Sequence, residues 1–167
     1  SCDLNIEQCV FDSQNSAIEL NAQLMPFSSI YINGNHFEDC QYGIAIDEFF
    51  DCSPNISENV IYGNPNGNSV NGILLTNGRE VVVADNSITN FLTGINLILV
   101  NQPYILSNNI SVVDLTVEPL SGIRSISSQG EIRLNTIQNH LYGIELGSAS
   151  PKIGANTITD NEAYGIY

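Results

Sequence analysis

The sequence predicts an all-β solenoid: a right-handed single-stranded parallel β-helix of about six coils. Three observations predict it. First, a twelve-residue stretch, NTIQNHLYGIEL at 135–146, recurs as NSITNFLTGINL (86–97), NHFEDCQYGIAI (35–46) and NTITDNEAYGIY (156–167). Two stretched copies carry insertions, NVIYGNPNGNSVNGILL (59–75) and NISVVDLTVEPLSGIRSI (109–126), and a degenerate first copy spans 9–20. Second, the leading positions 9, 35, 59, 86, 109, 135 and 156 are 21 to 27 residues apart. Uneven spacing with the extra residues gathered at turns is what a stacked repeat tolerates. Third, each unit holds short alternating segments rich in β-branched residues and broken by Gly and Asn, which is strand chemistry.

Within a unit, each element has its reason. Three residues before the leaders stand Ile6, Ile32, Ile56, Val83, Leu106, Ile132 and Ile153, expected to form one buried row. Two residues after most leaders come Phe11, Phe37, Ile61, Ile88, Ile137 and Ile158, and after the glycines Ile44, Ile73, Ile95, Ile123, Ile144 and Ile166. Coils about 4.8 Å apart place like on like, so three aliphatic columns fill the interior. The leading asparagines form a fourth column inside a turn, where an amide can donate to one coil and accept from the next. Cys9 replaces the first of them, so the column should end there with the thiol turned inward. A leucine-rich horseshoe is excluded, because its Leu consensus and helical segment are missing.

The 167 residues form a single β-helix domain, 1–167. Both ends fall in mid-coil, which suggests a segment of a longer protein, or ends that associate with other copies. No run of eighteen apolar residues exists, so no membrane span is expected. A net charge of −14, with Arg79, Arg124, Arg133 and Lys152 the only basic residues, excludes nucleic acid as a partner. Divalent cations suit such a surface better. Repeat alignment puts Cys2 and Cys52 two coils apart, beyond disulfide reach, so free thiols are expected.

Candidate sites follow from the breaks in the pattern. The cluster Asp47-Glu48-Phe49-Phe50-Asp51 is the densest group of carboxylates, which makes Asp47, Glu48 and Asp51 candidate calcium ligands. The two insertions fall at the same corner in alternate coils, so they should stand as ridges about 10 Å apart. One ridge carries Tyr62, Asn64, Asn66, Asn68 and Asn71, and the other Asp114, Thr116 and Glu118. Asn90, Phe91 and Thr93 would floor the groove between them, which suits an extended sugar chain. Asp114 and Glu118 are the one pair of carboxylates placed to flank a glycosidic bond.

Other positions read as structure. Val82 and Ile105 are adjacent outward residues and make a small apolar patch, expected to meet the 113–120 insertion or a partner subunit. Arg124 should pair with Glu145, and Glu131 with Lys152, across neighbouring strands. Of two glycosylation sequons, Asn55-Ile56-Ser57 is expected to be open and Asn109-Ile110-Ser111 closed, Asn109 being in the inward column.

The recurring asparagine, isoleucine and Gly-Ile positions resemble the right-handed β-helix superfamily, which includes pectate lyases, polygalacturonases and carbohydrate-binding and sugar-hydrolase repeats. The resemblance covers nearly the whole chain but rests on residues that specify fold. It implies a polysaccharide partner, often an acidic one, and an extracellular or cell-surface location. The enzymes' own signatures do not follow it here. Asn135-Thr136 and Asn156-Thr157 are each followed by Ile where a polygalacturonase has Asp, the paired aspartates are missing, and His36 and His140 lie four coils apart. The function expected is polysaccharide recognition or processing, with a structural or adhesion module as the alternative and a lyase or hydrolase as a third.

Overall fold

A computed structural model describes the chain except residues 1, 13–14, 24–26, 67–68 and 114–117 and the side chains of Cys2, Phe27 and Ser28. Its twenty strands wind into three parallel faces. The first face stacks Cys2–Glu7, Phe27–Asn33, Ser53–Ser57, Val82–Ala84, the end of Thr93–Leu106, Gln129–Arg133 and Lys152–Gly154. The second is a seven-stranded sheet: Val10–Asp12, His36–Cys40, Val60–Gly63, Ser87–Thr89, Asn109–Ser111, Thr136–Gln138 and Thr157–Thr159. The third runs Ser16–Asn21, Tyr42–Asp47, Asn71–Arg79, the start of Thr93–Leu106, Ser121–Ile126, Tyr142–Gly147 and Tyr164–Ile166. No helix among the described residues is long and apolar enough to cross a membrane.

Like lies on like, as the repeat requires. Ile44, Ile73, Ile95, Ile123 and Ile144 pair in register and are fully buried. Where the columns turn from the second face to the third, the inner coils need a glycine, at Gly43, Gly72, Gly94, Gly122 and Gly143, whereas the first coil has Ala17. A Cβ on Gly94 would lie 2.3 Å from Ile110 Cγ2 and 2.6 Å from the carbonyl of Gly122, so only a hydrogen fits. The asparagine column is a continuous ladder. Asn59 Nδ2 donates to Ile32 O on the preceding coil (2.9 Å) and to Asn86 Oδ1 on the next (2.9 Å). Its backbone N–H donates to that same Oδ1 at 3.0 Å. Asn35, Asn86, Asn108 and Asn135 repeat the arrangement, and Cys9 receives only the end of it, its N–H donating to Asn35 Oδ1.

Five expectations change. Asn108, not Asn109, occupies the ladder, because Ile110 must follow its asparagine by two to pair with Ile88 and Ile137. Asn109 is exposed, so its sequon is open on the outside of the strand. The same one-residue slip replaces Leu106 by Ile105 in the buried row with Ile32, Ile56 and Val83. Ile105 therefore cannot belong to an outward patch with Val82; Tyr104 stands there, beside Val82 and Glu131, and is 40% exposed. Finally, Cys9 is exposed, its Sγ turned back to Glu7 O at 3.3 Å. Cys9 and Cys52 are free thiols, and burial, with the nearby Asp51 carboxylate, raises the Cys52 pKa.

Candidate functional site

Both insertions leave the second face and rejoin the third at one corner. Their ends, Val70 and Leu120, lie on either side of Leu92. Thr93 N–H donates to Val70 O (3.0 Å), and Leu92 O accepts from Leu120 N–H (2.8 Å) and Ser121 N–H (3.1 Å). The short corner of the Asn86 coil thus lies between two longer ones, and the result is a cleft of about 340 Å³. Val70, Leu92, Leu120 and the Tyr142 ring make its apolar side, and Asn71, Thr93 and Asn96 its polar floor.

The floor is built from the outward positions of the third face. Asn96 is nine-tenths buried; its Nδ2 donates to Asn71 Oδ1 on the neighbouring strand at 3.2 Å, and its own Oδ1 has no hydrogen-bond partner. One step further on, Arg124 and Glu145 pair in register, Nε to Oε1 at 3.4 Å, as the sequence leads one to expect. Ser121 Oγ donates to the other carboxylate oxygen at 2.5 Å. Tyr142 is the inner ring of an aromatic stack, 4.8 Å from Tyr167 and 6.2 Å from Tyr164.

The row of outward side chains continues from Asn96 through Leu74 and Ala45 to Glu19. There a second depression of about 250 Å³ opens beside Asn21, Asp47 and Thr76. Six residues in register, Glu19 to Glu145, extend over about 24 Å at the strand spacing. The two depressions are separate, and Leu74 of the second is the strand neighbour of Asn96 in the first.

Of the residues singled out in the sequence, Thr93 and Asn71 line the cleft. Asn90 and Phe91 do not floor it: both are buried, at 0% and 1% exposure, and Asn90 Oδ1 accepts the Val113 N–H at 2.9 Å. Their neighbour Leu92 takes the place expected of Phe91. Tyr62 stands on the outer side of the second face, level with Thr89, and Asn66 is exposed in an Asx turn on Asn64. Asn68, Asp114 and Thr116 lie outside the described residues, and Glu118 is exposed beyond the cleft lining.

Of the calcium candidates, two hold neighbouring groups and Asp51 is exposed. Asp47 Oδ1 accepts from Thr76 Oγ1, from Asn77 Nδ2 at 3.0 Å and from the Glu48 N–H at 3.0 Å, while Glu48 Oε2 accepts from Asn21 Nδ2 at 3.3 Å. Among the described residues no three His, Cys, Asp or Glu side chains are grouped to hold a metal ion. The sequence reading missed Leu92, Asn96 and Tyr142. A signal was present for Asn96: the residue after each Gly-Ile faces outward, so Ala45, Leu74, Asn96, Arg124 and Glu145 form a readable row.

Comparison with known proteins adds the following. The family described as "Right handed beta helix region" matches residues 49–167. No curated protein matches the chain. Among solved structures, a mutant of the periplasmic alginate epimerase AlgG is similar, at 16% identity and a TM-score of 0.48. The match covers 99% of this chain and 60% of that one.

Proposed function

Since the chain belongs to the right handed beta helix family, which fixes a scaffold and leaves the chemistry to sites grafted on it, we propose that it is an extracellular polysaccharide-recognition module. Its binding site is the cleft where the two insertions flank Leu92. One observation carries this reading: a tyrosine ring and buried amides line one open cleft that crosses four coils. A sugar needs both kinds of surface, an apolar ring face to pack against and fixed polar groups for its hydroxyls. Length matters as well, because four stacked strands, about 14 Å at the strand spacing, accept a chain and not only a single sugar.

Recognition fits the cleft better than catalysis. Glycoside cleavage takes two carboxylates about 5 to 10 Å apart. Glu145 is the one carboxylate among the described lining residues, and both its oxygens are engaged by Ser121 and Arg124.

The test is calorimetric titration of wild type and Tyr142→Ala with soluble glycans. Loss of the ring should weaken binding at least tenfold, about 1.4 kcal/mol, with the far-UV spectrum unchanged. Full-strength binding by Tyr142→Ala would place any glycan elsewhere. Absence of binding to every glycan would leave a structural rod.

A further inference from the structure

We infer that the cleft is built for an uncharged glycan, rich in hydroxyls and free of carboxylates, and not for a uronate polymer. This rests on the polysaccharide reading above and sharpens it to a ligand class.

The first argument is charge. Arg124 is the single cation of the cleft, and Glu145 matches it one for one. An arriving carboxylate would have to share the guanidinium with Glu145, whose other oxygen is fixed by the buried Ser121 hydroxyl. In the second depression of the same face Glu19 and Asp47 add two negative charges, and no basic side chain lines it. The chain's other cations do not help. Lys152 and Arg133 lie on the first face, each 3.7 Å from Glu131, and Arg79 ends its strand past Gly78, outside both depressions. A polymer with one carboxylate per sugar would therefore meet repulsion along this face, within a protein already at −14.

The floor is the second argument. Its polar side chains, Asn71, Thr93 and Asn96, are neutral amides and a hydroxyl, which suit sugar hydroxyls but bring no charge to neutralise a carboxylate.

The experiment compares two panels on the folded protein. One holds neutral glycans (mixed-linkage β-glucan, galactomannan and xylan oligomers) and the other polyuronates (alginate and polygalacturonate), each with calcium and with chelator. A neutral glycan should bind at the cleft, lose at least tenfold with Tyr142→Ala, and hold its affinity from 0.05 to 0.5 M salt, as an uncharged ligand must. Polyuronates should bind at least tenfold more weakly with or without calcium. Glu145→Gln, which frees Arg124, should raise polyuronate affinity roughly three- to fivefold.

Polyuronate binding at the cleft as tight as that of any neutral glycan would overturn this inference and leave polysaccharide recognition standing. If neither panel binds, the recognition reading itself fails and takes the inference with it. Melting curves on both variants separate lost binding from lost fold.

Discussion

Two corners of the same coil behave in opposite ways. At the asparagine corner every coil turns with the same few residues, and Asn35, Asn59, Asn86, Asn108, Asn135 and Asn156 bond one to the next without a gap. At the corner before the glycines the chain length varies, and the residue five positions after the asparagine changes from Cys40 to Phe91 to His140 to Asn161. The first corner is held by bonds between identical groups, so any change in it is felt by the coils on both sides. The second is held by packing, which accepts different shapes and lets insertions project. Stability is concentrated at one corner, and the candidate site lies at the other.

The sharpest way to break this contrast is Asn108→Ala beside Asn109→Ala. The first removes four hydrogen bonds, two accepted from Asn86 and two donated to Val83 O and Asn135 Oδ1, all in the buried ladder. With buried partners left unmet it should cost about 3 kcal/mol or more, whereas Asn109→Ala, on the surface, should stay within about 0.5 kcal/mol. Denaturant unfolding of the two variants measures the difference, and equal costs would undo the register described here.

His140 tests the variable corner. It is 1% exposed, its Nδ1 has no hydrogen-bond partner, and burial lowers its pKa to about 4, against a smaller opposing effect of the Gln138 backbone. Its unfolded pKa is near 6.5, so between about pH 6.5 and 4 the unfolded chain binds the extra proton. The stability that neutral His140 contributes is fully present above about pH 6.5 and is lost as pH falls to about 4, a change of about 3 kcal/mol. His140→Phe, copying Phe91 of another coil, should flatten the wild-type-minus-variant difference across that window. Melts at a series of pH values would show it, and parallel curves would mean the imidazole is not buried neutral.

The smallest effect belongs to the turn residue just before each asparagine. Gln8, Gly34, Glu58, Asp85, Ser107, Leu134 and Ala155 all adopt positive φ. Leu134, at φ 60° and 60% exposed, pays for that backbone with steric strain and gains little burial in return. Leu134→Asn should therefore stabilise the protein, by about 0.5 to 1 kcal/mol. A rise of a few degrees in melting temperature is the readout, and a fall would show that the leucine packs on its neighbours.

Much of this was legible in the sequence, and the misses around Asn109 share one cause. With two asparagines in succession, Asn108 and Asn109, either choice leaves an aliphatic residue three positions earlier. The discriminating signal was two positions later, where Ile110 fits the buried column and Ser111 does not. A strand slipped by one residue turns every side chain to the other side. That single slip sent Ile105 outward, Leu106 inward and Asn109 out of reach. The groove was placed at the right corner for a sound reason, the two long turns in alternate coils. Its floor was misread because Asn90 takes a positive-φ turn conformation, like Asp39, Asn139 and Asp160, and holds a backbone N–H instead of facing solvent.

By itself the sequence determined the architecture, because in a stacked solenoid each column repeats one chemical requirement and the repetition is visible along the chain. It also determined the Arg124–Glu145 and Glu131–Lys152 pairs, which follow from register alone. Only the tertiary structure decided what lines the cleft. Val70, Leu92, Leu120 and Tyr142 belong to four different coils, and no periodicity says how far an insertion leans or which side chain closes beneath it. Columns are a property of the repeat, whereas a cleft is a property of where the repeat is interrupted, and that depends on packing between residues far apart in the chain.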